Sequence, residues 1–422
     1  MCRPILCLVL VITLVSAIVE NPSAGDEMNV APDDWPWWRG WMRDGSAGTT
    51  PLPPLDWSGS ENIKWRAAVS GRGHGSPTVV GNRVFLLTAD EENEVQSVAC
   101  YDAQSGRLFW EREIHRGHFL SGGNKKASHA STTVACDGYR VFANFINADA
   151  AYTTALTVDG EPLWQQKISD YVVHQGYGSS PTLYESLVIV SADNKGGGSL
   201  VAFDRKTGKT VWRHQRPELP NYCSPVVLSV AGKDQLILFG CDYVSAFDPR
   251  SGELFWQIEG ATTECVTTPV TDGRHVFTSG GYPRSHISAV VADGSGKITW
   301  ENNHRIYVPS MLLERDYLYA VSDAGVALCF EAATGRQQWK GRLGGTFSSS
   351  PILFAGHILS INEAGECFIF KAHPDDFELV STNQLGDEVF ATPAVSRGCI
   401  YMRVADHETG QRREHLVCVG KP

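Results

Sequence analysis

Two signatures recur along this chain of 422 residues, and together they limit its fold more than any other feature. The first is a small hydroxylated residue before proline: Ser76-Pro77, Ser180-Pro181, Ser224-Pro225, Thr268-Pro269, Ser350-Pro351 and Thr392-Pro393. Thr132-Thr133 and Pro309-Ser310 are degenerate copies at the expected intervals. The second is Gly-x-x-x-Trp, usually behind an aromatic–acid pair. It appears as Tyr101-Asp102…Gly106…Trp110, Phe203-Asp204…Gly208…Trp212, Phe247-Asp248…Gly252…Trp256, Asp293…Gly296…Trp300 and Phe330-Glu331…Gly335…Trp339, with Gly160…Trp164 as a trimmed version. Periods of about 40–50 residues mark architectures in which each repeat is one supersecondary unit.

Between the signatures lie short apolar runs such as Val84-Phe85-Leu86-Leu87, Leu187-Val188-Ile189-Val190 and Leu236-Ile237-Leu238-Phe239, bounded by Gly, Asp and Asn. These are strand-like, and no long helical period accompanies them. Each unit therefore reads as four short antiparallel strands with Asp-x-x-Ser/Thr-Gly as the turn between the third and fourth. Asp opens such a turn by accepting backbone N–H groups, and Gly accepts positive φ. The tryptophan then ends the fourth strand and wedges against the next unit. The eighth unit begins at Thr392-Pro393 and lacks a Gly-x-x-x-Trp; its complement stands near the start, in Asn62 to Val69 with Trp65. The expected fold is all-β: an eight-bladed β-propeller of four-stranded antiparallel blades, its ring closed by an N-terminal strand that completes the last blade and leaves no free edge. Trp65, Trp110, Trp164, Trp212, Trp256, Trp300 and Trp339 are the docking residues. The seventh unit has no tryptophan, and Phe377 is its expected stand-in.

Residues 1–24 read as a signal peptide. Arg3 precedes an apolar run from Ile5 to Val19 that is short of the roughly 20 residues a membrane span needs. An uncleaved anchor is the alternative. Residues 25–56 form a Trp/Pro-rich extension and 57–422 the propeller. The chain is thus expected to be exported, periplasmic or extracellular, with a mature part that does not span a membrane. A net charge of −11 argues against nucleic-acid binding, which needs a basic footprint. Of eleven cysteines none forms C-x-x-C. Cys100 and Cys329 occupy the repeat position that Ala202 and Ala246 hold elsewhere, which implies a small buried strand site.

Chemistry-bearing residues are sparse. Gly71–Gly75 and Lys195–Gly198 lack the strand-to-helix context of a phosphate loop. No acidic cluster has calcium-loop spacing, so no catalytic, cofactor-binding or metal residues are assigned. The residues just ahead of each Ser/Thr-Pro start are His74, His129, Tyr177, Tyr222, Tyr307, Phe347 and Phe390. They should ring the mouth of the central channel. There they either plug the axis or offer aromatic and imidazole contacts to a small polar ligand or a peptide loop.

The Ser-Pro strand start and the aromatic-Asp-x-x-Thr-Gly-x-x-x-Trp element resemble the docking repeats of pyrroloquinoline-quinone-like (PQQ-like) β-propellers over about residues 57–422. Trp35-Pro36-Trp37-Trp38-Arg39-Gly40, followed by Arg43-Asp44-Gly45, is similar to the opening of exported bacterial propellers of this type. Relatives include the outer-membrane assembly lipoprotein BamB and the quinoprotein alcohol dehydrogenases. The resemblance implies eight blades and two functions: a non-catalytic protein- or ligand-binding scaffold of the cell envelope, or a PQQ-dependent dehydrogenase acting on alcohols or sugars. Such dehydrogenases hold the quinone with a disulfide between adjacent cysteines, beside a calcium ion and a catalytic aspartate. This sequence has no adjacent cysteines. The expectation is therefore a binding module without cofactor, whose partners are envelope proteins or a small polar ligand.

Overall fold

The turn chemistry of each repeat sets its blade. In the first, Asp102 Oδ1 accepts the backbone N–H groups of Gln104 and Ser105, both at 2.8 Å. Gly106 reverses the chain at φ +73°, and the strand Leu108–Arg116 pairs back antiparallel. The computed structural model describes residues 27–48, 51–59, 61–408 and 410–421, so the expected signal peptide lies outside the described residues. Strands form eight four-stranded sheets: blade 1 (78–116), blade 2 (135–170), blade 3 (182–215), blade 4 (226–259), blade 5 (270–302), blade 6 (312–342), blade 7 (352–384) and blade 8 (394–419). The fourth strand of blade 8 is Ile63–Val69. It pairs antiparallel in the register Ile63↔Val419, Trp65↔Cys418 and Ala67↔Leu416, closing the ring as expected. Among the described residues, no helix is long and apolar enough to cross a membrane.

Docking of one blade on the next rests on the indole. Trp65 Nε1 donates to Ala103 O at 3.1 Å, Trp110 to Val158 O at 3.1 Å and Trp164 to Arg205 O at 3.1 Å. Trp212 reaches Pro249 O at 3.0 Å, Trp300 reaches Ala332 O at 2.7 Å and Trp339 reaches His373 O at 2.8 Å. Every acceptor lies in the third-to-fourth-strand turn of the following blade. The glycine of that turn sits under the ring. A Cβ on Gly106, Gly160, Gly208, Gly252 or Gly335 would come within 2.5–2.8 Å of the preceding blade's indole. The glycine in Gly-x-x-x-Trp thus serves the tryptophan of the repeat before it. Within its own sheet each tryptophan stands opposite a small residue: Cys418 faces Trp65, Cys100 faces Trp110, Ala202 faces Trp212 and Cys329 faces Trp339. That pairing explains why cysteine and alanine exchange at this position. Blade 4 departs from the pattern: Trp256 Nε1 donates to Gln235 Oε1 of its own blade at 2.8 Å.

Blade 7 holds Ser381, opposite Ile369, where the others hold tryptophan. The expected stand-in, Phe377, is not at the joint with blade 8. It packs on Trp339 and Phe370 at 5.6 and 5.4 Å, on the side of blade 6. The indole that serves the joint between blades 7 and 8 is Trp57, from ahead of the first repeat. It lies in one apolar cluster with Ile352 and Ile369 of blade 7 and Tyr401 and Leu416 of blade 8. Its backbone N–H donates to Asn383 Oδ1 at 3.0 Å, and Leu55 O accepts from Ser381 Oγ at 2.6 Å.

Replacing one docking ring gives a measurable test. Trp212→Ala is expected to cost about 3–5 kcal/mol in chemical denaturation. The adjacent exposed Val211→Ala should stay within about 0.5 kcal/mol. Equal losses from the two would remove the docking role.

Candidate binding cavity

The Ser/Thr-Pro starts converge on the axis, where their hydroxyls bond from blade to blade. Ser76 N donates to Thr133 Oγ1 at 3.1 Å, Thr133 N to Ser180 Oγ at 2.9 Å and Ser180 N to Ser224 Oγ at 2.9 Å. Thr268 N donates to Ser310 Oγ, Ser310 N to Ser350 Oγ and Ser350 N to Thr392 Oγ1, each at 2.9 Å. Each hydroxyl satisfies a backbone N–H that no ladder uses, and the proline that usually follows has no N–H to satisfy. The register identifies Thr133 and Ser310 as the hydroxyl positions of the two degenerate copies.

The N-terminal extension crosses the axis beneath this belt. Trp35 and Val79 of blade 1 exchange backbone bonds at 2.8 and 2.9 Å, and Pro36 O accepts from Cys136 N of blade 2 at 2.8 Å. Arg39 donates to Met311 O at 2.5 Å beside blade 6, Arg43 donates to Leu183 O of blade 3, and Ala47 N donates to Leu353 O of blade 7 at 2.8 Å. Burial pulls the Arg39 guanidinium down to about 10, partly opposed by Asp44. Trp38 Nε1 donates to Thr268 Oγ1 of the belt at 2.7 Å, which sets the indole across the inner end of the channel.

Above Trp38 opens a cavity of about 640 Å³. His74, Tyr177, Tyr222 and Tyr307 line it, as does Phe390. The side chains ahead of the strand starts therefore surround space and do not fill the axis. His129, expected among them, is not part of the lining: it lies four residues before the belt position Thr133, where the others lie two or three before theirs, and it stacks on Phe119 at 4.2 Å. Phe347 is buried against Phe368 at 6.1 Å. The sequence reading missed Trp38, His174, Glu264 and Lys126, all in the wall. Lys126 belongs to a segment that leans over the mouth, with Asn124 N donating to Gln175 O at 3.0 Å and Lys126 Nζ bound to Glu363 at 2.6 Å.

Some wall groups are fully engaged and others are not. Tyr177 donates to Ser191 O at 2.8 Å and serves as wall. His74 Nε2 and the Tyr222 hydroxyl are buried and neither forms a hydrogen bond of ordinary geometry; the Gln175 backbone lies beside the Tyr222 hydroxyl. Glu264 Oε1 is 3.0 Å from His174 Nε2, and Oε2 accepts from Tyr307 OH at 3.4 Å. Burial first and then the Glu264 charge raise both the Tyr222 and Tyr307 phenols, so each stays protonated. His74 stacks on Phe390 at 4.3 Å. Its burial, then Arg72, Arg403 and Arg412, holds its imidazole well below 6.5. Blades 1 and 5 stand opposite in a ring of eight, so a neutral imidazole faces a carboxylate across the cavity. None of the nine described cysteines lines it, and all nine are free thiols. Among the described residues, no three His, Cys, Asp or Glu side chains converge as a metal set.

Ring, belt and chamber define a β-propeller of the PQQ-like class. A family model described as "Outer membrane protein assembly factor BamB" matches residues 58–110, 94–341 and 284–367, and the chain belongs to that family. Among solved structures, BamB from Moraxella catarrhalis is similar at TM-score 0.59 and 13% identity, covering 84% of this chain and 98% of that one. Quinohemoprotein alcohol dehydrogenase from Comamonas testosteroni is similar at TM-score 0.64 and 11% identity, covering 94% and 82%. A quinohemoprotein alcohol dehydrogenase from Pseudomonas putida HK5 gives 0.61 and 12%, covering 93% and 81%. At these identities the likeness is one of fold. A comparison with curated proteins finds no match.

The state of His74 is directly measurable. In an NMR titration its imidazole should change charge well below 6.5. Because the folded value is lowered, its contribution to stability is complete above about 6.5 and declines as the pH falls below that. A midpoint at or above 6.5 would contradict a neutral His74 wall.

Proposed function

We propose that this chain is an exported binding propeller of the cell envelope, and that its axial chamber receives a small polar ligand or a loop of a partner protein. What carries this reading is the chamber itself: about 640 Å³, with Trp38, His74, Tyr222, Tyr307 and the carboxylate Glu264 in its lining. A concave wall that sets a few polar groups among aromatic rings supports recognition of a small ligand or an inserted loop. Membership of the BamB family favours the envelope as the setting.

The second reading, a PQQ-dependent dehydrogenase, is favoured by the ring geometry and its likeness to the quinohemoprotein enzymes. The donor set does not suit the quinone. The cradle of adjacent cysteines is missing, no cysteine reaches the chamber, and Glu264 is the one carboxylate among its described lining residues. No reaction step is assigned to it.

Gly178 lies at the wall, where an added Cβ would meet Tyr222 O at an ordinary contact distance of 3.9 Å, so Gly178→Phe should fold and obstruct the chamber. Native mass spectrometry of protein recovered from an envelope fraction is expected to find a bound molecule or cross-linked partner on the unaltered chain. Gly178→Phe should retain less than about a tenth of it, a loss of roughly 1.4 kcal/mol or more, while Val211→Ala retains it all. Equal retention by Gly178→Phe would sink the chamber as the binding site. Alcohol or sugar oxidation that saturates with added PQQ and calcium would establish the dehydrogenase instead.

A further inference from the structure

The wall of the chamber carries information about its occupant. Glu264 is only 5% exposed, yet it lines the cavity. Its partners are His174 at 3.0 Å and the Tyr307 hydroxyl at 3.4 Å, the second a long bond. A carboxylate offers about four lone-pair sites, so acceptor capacity is left over at the wall. The nearby permanent cations are committed elsewhere. Lys126 Nζ is held by Glu363 at 2.6 Å, and Arg305 donates to Gly281 O with its guanidinium 5.0 Å over the Tyr307 ring. Its ionic partner His174 is charged only when protonated, so a permanent cation entering beside Glu264 offsets the cost of burying the carboxylate.

The rest of the wall points the same way. Tyr222, Tyr282 and Tyr307 belong to the lining near Glu264, and aromatic faces attract cations at close range. Across the chamber, the arginines behind His74 are each paired with a carboxylate: Arg72 with Glu91, Arg403 with Glu414, and Arg412 with Glu388 and Glu414. The carboxylate in the lining is Glu264, so a cation in the chamber is drawn to the blade 5 side.

We propose that the chamber recognises an organic cation, a primary ammonium or a guanidinium group, seated against Glu264 with Tyr222 and Tyr307 beside it. This rests on the chamber being the binding site. The same chemistry has two sources, a free small amine or a lysine or arginine on a partner's loop.

Calorimetry on the full chain separates them with three probes: agmatine as a free guanidinium, acetyl-Gly-Arg-Gly-amide as a cationic loop, and acetyl-Gly-Glu-Gly-amide as its anionic counterpart. Saturable binding of a cationic probe is expected, at least about tenfold weaker in Glu264→Gln, which corresponds to roughly 1.4 kcal/mol, and abolished in Gly178→Phe. Tyr307→Phe, which removes a competing donor from the carboxylate, should bind at least as tightly as the unaltered chain. Tighter binding of the arginine peptide than of agmatine assigns a partner's loop; the reverse assigns a free amine. Undiminished binding by Glu264→Gln, or no binding of either cation, overturns the proposal. Preference for the anionic peptide, still blocked by Gly178→Phe, overturns the cation while leaving the chamber as the binding site. If Glu264→Gln does not fold, the contrast between the two peptides on the unaltered chain still decides.

Discussion

The structure depends on one recurring contact, an indole laid on a glycine. A flat ring lies closest on the turn of the next blade where that turn has no Cβ, and its N–H reaches the turn's carbonyl there; over the blade 7 turn, which has no glycine, Trp339 still reaches His373 O at 2.8 Å. Trp212 over Gly252, with its bond to Pro249 O at 3.0 Å, shows both features of the common case at once. The same contact selects the residue opposite the tryptophan within its sheet, which is Ala202 for Trp212 and Cys100 for Trp110. Blade spacing is thus fixed between rigid parts, a ring and a backbone turn. A closed circle follows when Trp65 docks on blade 1 from a strand that completes blade 8. Closure removes the edges that isolated sheets would expose.

A circle of eight blades leaves an axis that short inner strands cannot fill. Two devices manage it. The hydroxyl belt satisfies backbone donors that would otherwise point into the opening, and the extension supplies bulk below. Arg39 illustrates the cost of such a plug. A guanidinium that is 1% exposed is expensive to desolvate, and only part of that cost is offset: one nitrogen donates to Asp44 O and Met311 O, while the other two are buried without partners. Trp57 extends the same logic to the rim, where it serves the joint left by Ser381 of blade 7. One short segment ahead of the repeats therefore completes a blade joint and closes the channel's inner end.

Much of this was legible in the sequence because it follows from local spacing. The Asp-x-x-Ser/Thr-Gly turn, the eight strand starts and the closing strand around Trp65 each announce themselves within about ten residues. The failures share a cause: they depend on which distant residue fills a given space. Phe377 sits at a plausible spacing for blade 7, but it packs toward blade 6 because Trp339 already offers its ring there. His129 lies near a strand start, but the degenerate Thr132-Thr133 pair hides the register, and one extra residue takes its ring to Phe119. Glu264 has no distinguishing neighbour in sequence. Its importance comes from burial and from facing His174, 90 residues earlier in the chain. Trp38 was visible as part of a Trp-rich stretch, yet only the fold shows which of those rings meets the axis.

A site in such a fold is marked by polar atoms that packing does not consume, and by where they lie. Near the chamber, Asp193, Arg216 and Asn221 are buried and bonded to one another at 2.9–3.1 Å, which makes them structural. His286 is the reverse: both ring nitrogens lack partners, burial lowers it to about 4, and it does not line the chamber. An orphaned group by itself is therefore a cost that the fold tolerates. The wall around Glu264 differs from both, because spare bonding capacity on its carboxylate coincides with open volume. The repeats reproduce the docking contact with small variations, so recognition has room to vary only in the residues that precede the belt. There blades 1, 3, 4, 6 and 8 contribute His74, Tyr177, Tyr222, Tyr307 and Phe390 to one shared space, and the segment ahead of blade 5 adds Glu264.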